Sequence, residues 1–161
     1  MNAWLISLLV NNHFGVLTRV TGLFSRRGYN IASLSVGETH DPRLSRITIE
    51  TNTNGAGINQ VMKQLQKLED VKKVRLLPRS ETVEKELLLV KLVAPPARRE
   101  RLFEDISSFS YQIPYADEGR VVLEFTGSPE QCGAFLDAIK PNTVLELCRT
   151  GITAISTADI L

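Results

Sequence analysis

An order of hydrophobic periods that occurs twice is the strongest constraint on this chain. "WLISLLV" (Trp4 to Val10) is an apolar run of strand length, and Val16, Val20, Leu23 and Phe24 then recur at helical spacing as far as Arg27. "NIASLSVGE" (Asn30 to Glu38) is rich in β-branched and small residues and reads as a strand. The turn "THDPR" (Thr39 to Arg43) leads into "LSRITIET" (Leu44 to Thr51), where Ile47 and Ile49 take one face and Arg46 and Thr48 the other. "NTNGAG" (Asn52 to Gly57) reads as a loop. Ile58, Val61, Met62, Leu65 and Leu68 mark one face of a second helix, and "VKKVRLL" (Val71 to Leu77) is a closing strand.

After "PRSETV" (Pro78 to Val83), which reads as a linker, the order returns. "EKELLLVKLVA" (Glu84 to Ala94) is a strand, and "PPARRERLFEDISSF" (Pro95 to Phe109) is a helix with proline at its start, where the missing N–H costs nothing. "YQIPYA" (Tyr111 to Ala116) is a strand that Pro114 confines to an edge. "RVVLEFTG" (Arg120 to Gly127) follows. Ser128 caps a helix that begins with Pro129 and Glu130 and buries Cys132, Phe135, Leu136 and Ile139. "TVLELCRTG" (Thr143 to Gly151) closes the second unit.

Each βαββαβ unit predicts a four-stranded antiparallel sheet with two helices on one face, the ferredoxin-like arrangement. The expected fold class is α+β, with units at 1–77 and 84–161 joined by a linker at 78–83. A unit of this size is marginal alone, and its sheet keeps a bare face and open edges. At least a homodimer is expected.

Composition narrows the function. With 19 Lys+Arg against 18 Asp+Glu, the net charge of +1 gives no general reason for a nucleic-acid or membrane partner. The opening run is too short for a signal peptide or a membrane span, so a cytoplasmic protein is expected. Cys132 and Cys148 form no close-spaced metal or redox motif and read as core or near-core.

Residues 11–15, "NNHFG", carry the most specific chemistry. A helix starting at Gly15 or Val16 leaves about four backbone N–H groups without partners at its positive end, a site for a small carboxylate. Gly15 permits close approach and φ > 0. Asn12 either caps the helix or offers a donor and an acceptor to a zwitterion. Asn30, after "RRGY", stands at the entry to the second strand, whose start is expected near the end of the first in a paired sheet. Each of these residues has an ordinary structural reading as well: Asn before Gly punctuates turns, and Asn30 after Gly28 ends a helix. His13 reads as a solvent-facing loop residue, and Arg26 and Arg27 as a solvated helix end.

"NNHFGVLTRVTGLFSRRGYNIASLSVGETHDPRLSRITIET" resembles the ACT-domain segment of the small, regulatory subunits of acetohydroxyacid (acetolactate) synthase. In that family a strand ending in Asn-x-x-Gly-x-Leu leads to a helix ending "F-x-x-R-G-Y-N-I", followed by "S-L" and "D-P-x-L-S-R-x-T"; all are present here. The likeness is specific over residues 4–77 and continues more loosely through "EKELLLVKL" and "CRTGITAISTAD". Asn11 departs from a frequent acidic residue, and His13-Phe14 is a pair the family varies. The resemblance implies a non-catalytic subunit, without cofactor or metal of its own, that activates a catalytic large subunit carrying thiamine diphosphate, Mg and FAD. It implies feedback inhibition by valine in branched-chain amino-acid synthesis. The family's ligand positions fall on Asn12, Gly15, Val16, Asn30 and Ile31, with valine between ACT domains of two chains; Gly37 matches a small-residue position near that pocket. Val16, Ile31 and Leu34 are candidates for its apolar lining, or for the core.

Three other readings are separable. An enzyme would need a nucleophile elbow, metal triad or phosphate loop, and none is present. An RNA-binding sheet would carry stacking aromatics, which "LSRITIET" lacks. A free-standing ACT-domain amino-acid sensor with another protein partner differs only in what it associates with.

Overall fold

The computed structural model describes residues 2–158. The chain runs β1 (Asn2–Asn11), α1 (Val16–Arg26), β2 (Ile31–Glu38), β3 (Leu44–Thr53), α2 (Gly55–Leu65) and β4 (Val71–Leu76). It continues as β5 (Thr82–Val93), α3 (Pro96–Asp105), β6 (Tyr111–Ala116), β7 (Arg120–Gly127), α4 (Pro129–Ile139), β8 (Val144–Arg149) and β9 (Thr153–Ser156). The sheets have orders β2-β3-β1-β4 and β6-β7-β5-β8, with β9 paired to β5 off that path. Every pairing with a described register in both sheets is antiparallel. This is the expected α+β plan of two ferredoxin-like units.

In the first unit, period-two alternation puts Ile6, Leu8 and Val10 of β1 and Ile47 and Ile49 of β3 on one sheet face. They meet Val16, Val20, Leu23 and Phe24 of α1 and Ile58, Val61 and Leu65 of α2. The second helix begins inside the expected loop, because the Asn54 side chain accepts a hydrogen bond from Gly57 N (2.7 Å) and starts it three residues early. Gly57 is required there: a Cβ would collide with Thr53 Oγ1. The strand expected from Glu84 likewise starts early. A 3₁₀ turn at Arg79–Glu81 runs straight into β5 at Thr82.

In the second unit, Leu88, Val90, Leu92, Val121, Leu123 and Phe125 pack under Leu102, Ile106, Cys132, Phe135 and Ile139. Ser128 and Gln131 form a reciprocal capping box at the start of α4. Pro114 lies in β6, which is an edge strand as expected, with a register shift around the proline. Cys148 is not core: it stands opposite Leu89 on β8 and is exposed. Cys132 is buried, and burial, with the negative charge of Glu86, pushes its thiol pKa up.

By packing, Glu84–Gly151 form one compact unit, and residues 152–158 join residues 2–83 in the other. Ile152 and Ala154 cluster with Leu5 and Leu77, and Ser33 and Ser35 are both hydrogen-bonded to the backbone of Ile152. The returning segment thus covers part of the helix-free face of the first sheet. The physical reason is the sheet's own need: Leu5 and Leu77 lie on a face that α1 and α2 do not reach.

Candidate effector site at the first helix terminus

Gly15 is the N-cap of α1, with φ +86 and no side-chain cap hydrogen bond. A left-handed residue between a strand and a helix turns the chain sharply, and here only glycine meets it without strain. Val16 N–H reaches back only weakly to His13 O at 3.4 Å. Phe14, at the tip of the turn, is 100% exposed. The first-turn amides of α1 therefore face outward at the positive end of the helix.

Asn12 does not cap α1. Its amide nitrogen donates to Glu38 Oε1 (2.9 Å) and Pro42 O (2.9 Å), and its backbone N–H donates to Arg43 O (2.7 Å). It ties the end of β1 to the end of β2 and to the turn that follows. That turn is itself braced: Arg43 donates through its backbone and guanidinium to Asp41, holding the Asp41 carboxyl at about 2.

A second set of contacts fixes the turn from the other side. Asp70, between α2 and β4, is bridged by His13 Nε2 (2.8 Å), by the Arg19 guanidinium and by Asn11 Nδ2 (3.3 Å), while Asn11 N–H donates to Asp70 O at 2.9 Å. A depression of about 320 Å³ lined by His13, Arg19, Glu69 and Asp70 opens beside it. Desolvation raises the Asp70 pKa, but hydrogen bonds from Asn11 and Arg19, with the charge of Arg19, outweigh it and leave the carboxyl below its ordinary value. A depressed acid contributes stability above its unfolded pKa and loses it as pH falls through the folded one. The clamp is therefore expected intact across neutral and mildly acidic pH, opening only below the ordinary carboxylate range. Asp70→Asn should speed amide exchange at residues 13–18 at neutral pH, as read by hydrogen–deuterium exchange; unchanged protection would show that Asp70 does not hold the turn.

The remaining candidates lie elsewhere. Val16 is 4% exposed and its side chain belongs to the core, so only its backbone is available to a ligand. Ile31 and Leu34 are half-buried against the same core. Asn30 is exposed; its backbone carbonyl accepts from Thr51 Oγ1 at 2.7 Å. β1 and β2 are not neighbours, because β3 lies between them, and they run parallel. Within one chain, therefore, the end of β1 and the start of β2 lie at opposite ends of the sheet. The eight residues of β2, at about 3.3 Å each, separate them by roughly 25 Å. Asn12, Gly15 and Val16 come together; Asn30 and Ile31 form a second group. Gly37 is exposed near the first group, at the far end of β2.

Residues 6–73 match the family model described as the AHAS small subunit-like ACT domain, and residues 85–158 match that for the small subunit of acetolactate synthase. The chain is 40% identical over 153 residues to a probable acetolactate synthase small subunit of Methanothermobacter thermautotrophicus, covering 94% of this chain and 91% of that one. It is 38% identical over 156 residues to the isozyme 3 small subunit of Escherichia coli, covering 96% of each. This chain belongs to the acetolactate synthase small-subunit family. The crystal structure of the small subunit from Thermotoga maritima superposes with a TM-score of 0.91 at 33% identity, covering 99% of this chain and all of that one.

As an acetolactate synthase small subunit, the chain has a regulatory, non-catalytic role. Among the described residues no group of three or more His, Cys, Asp or Glu side chains could hold a metal ion, and no helix is long and apolar enough to cross a membrane. Sequence reasoning missed Asn11, Arg19, Glu38 and Asp70 as the residues that hold the turn. The contacts of Asn11 with Asp70 and of Asn12 with Glu38 span 59 and 26 positions, and no local signal carries them.

Proposed function

We propose that this chain activates the thiamine-diphosphate-, Mg- and FAD-dependent large subunit of acetolactate synthase in the cytoplasm and makes it sensitive to valine, bound between the ACT domains of two copies. The observation that carries the valine site is Gly15: a left-handed glycine cap that leaves the positive end of α1 open to a carboxylate. β2 is an edge strand whose outer side has no partner strand in the described chain, and exposed Val36 lies on it. Pairing this edge with a second copy about a two-fold axis brings the start of one β2 beside the end of the other. Asn30 and Ile31 of one protomer would then approach Asn12, Gly15 and Val16 of its partner. Asn30 suits the ammonium group, and Ile31 offers apolar surface to the isopropyl group.

Because each site is shared, valine binding favours one arrangement of the two domains over another. Regulation of this kind requires a coupling of about 1–3 kcal/mol between effector and activity. Asn30→Ala is expected to weaken valine binding by about 1–3 kcal/mol through a lost polar partner; calorimetry giving the parent dissociation constant would remove Asn30 from the site.

The deciding experiment mixes the purified chain with the large subunit from the same source and assays acetolactate formation with and without valine, leucine and isoleucine. Stimulation, reversed by valine, is expected. Absence of both stimulation and effector response would point instead to a free-standing amino-acid sensor.

A further inference from the structure

The helix-free face of the first sheet is only partly covered. Two adjacent rows cross it, fixed by register: Ser35, Thr48, Ser7 and Arg75 in one, where Ser7 and Thr48 are buried and Ser35 bonds the returning segment, and Gly37, Arg46, Leu9 and Lys73 in the next, where Gly37, Arg46 and Lys73 are exposed. These eight positions hold three cations and no carboxylate. Arg46 donates from Nη1 to Ser7 Oγ at 2.9 Å, which lays its guanidinium along the sheet. Among the described residues, Arg46, Lys73 and Arg75 have no ion-pair partner, whereas Arg79 and Glu50 pair with each other on this face toward its covered end. Ser7, Leu9, Arg46, Lys73 and Arg75 line a cavity of about 220 Å³. In a chain of net charge +1, three neighbouring unpaired cations are a local concentration of charge. Like charges on neighbouring strands repel, a cost that a complementary anionic surface removes.

We infer that this face, with Leu9 as its apolar centre and Arg46, Lys73 and Arg75 as its charged rim, docks onto a carboxylate-bearing surface of the catalytic large subunit. The inference rests on the proposed regulatory role and names the surface that performs it. An apolar centre ringed by charge is the usual anatomy of a protein interface, and rim charges act mainly on encounter rate and salt dependence.

The test titrates the large subunit with the wild-type chain and with the triple variant Arg46→Glu, Lys73→Glu, Arg75→Glu, reading the concentration that gives half-maximal stimulation. For the variant this concentration should rise about tenfold or more. For the wild type it should rise between about 0.05 and 0.3 M salt, over which charge screening tightens, while the variant loses most of that dependence. The double variant Lys73→Gln, Arg75→Gln should shift the same way by less, and Arg98→Glu, Arg101→Glu on α3 should not shift. Valine binding by the triple variant should be retained, since Arg46, Lys73 and Arg75 lie on the helix-free face of the sheet and α1 packs on the other. Equal stimulation and equal salt dependence in wild type and triple variant would overturn the inference and leave the regulatory reading intact. A wild-type chain that never stimulates the large subunit would overturn both. Stoichiometric binding of inorganic phosphate, lost in the triple variant with stimulation unchanged, would overturn it in favour of a small-anion site.

Discussion

Gly15→Asp should abolish valine binding while leaving stimulation of the large subunit in place. The residue sits at φ +86, where an L side chain costs about 1–2 kcal/mol. A Cβ at this position would have room, its nearest neighbour being Arg19 Nη1 at 3.9 Å, so the chain can fold around the substitution. The decisive effect is electrostatic. Aspartate is a good N-cap, and its carboxylate would occupy the first-turn amides as a tethered competitor for the acid group of the effector. The expected loss is at least about 100-fold in affinity, or about 2.7 kcal/mol. Gly15→Ala, which adds the backbone strain without the charge, should lose only part of this. Calorimetry with valine reads both variants, and a Gly15→Asp protein that binds like the parent would remove the helix terminus from the site.

Phe135→Ala should cost about 3–5 kcal/mol of stability, the range for deleting a fully buried aromatic ring. Phe135 is 0% exposed in the middle of α4. Its ring stacks on Phe125 with centroids 4.5 Å apart and planes 5° from parallel, and meets Phe109 edge-on at 5.3 Å and 82°. The second unit therefore organises its core around one aromatic group, and truncation would leave a cavity lined by rings that cannot collapse into it. Phe14→Ala, at a fully exposed position, should change stability by no more than about 0.5 kcal/mol. Urea denaturation compares the two, and a loss below about 1 kcal/mol for Phe135→Ala would contradict the packing described.

The parts of the fold that could be read from the sequence are those written in local periods. Alternation in "LSRITIET" separated Ile47 and Ile49 from Arg46 and Thr48, and Pro114 marked an edge strand. Gly15 was legible because a left-handed cap between a strand and a helix demands that residue type. Asn12 was legible as polar but not in its role, since Glu38 and Pro42, which it holds, become its neighbours only when β2 and the following turn are in place. The clamp on Asp70 has no local trace at all. The parallel course of β1 and β2 follows from the insertion of β3 between them, so the two groups of candidate ligands separate within a chain although their order along it suggests proximity. The last strand, Thr153–Ser156, lies outside the elements expected from the sequence: Ile152 and Ala154 are buried and Thr153 and Ile155 exposed, but so short an alternation does not announce a strand.

The return of Ile152–Ser156 to Leu5 and Leu77 makes the first domain discontinuous, with Glu84–Gly151 nested inside it as an insert. Its two segments therefore lie on either side of the insert in the sequence. A fragment stopped at Val83 would lack a strip of its own hydrophobic cladding, while excision of the insert with the flanks rejoined through a short linker would keep it. During synthesis that domain can complete its packing only after the ribosome has made the insert as well.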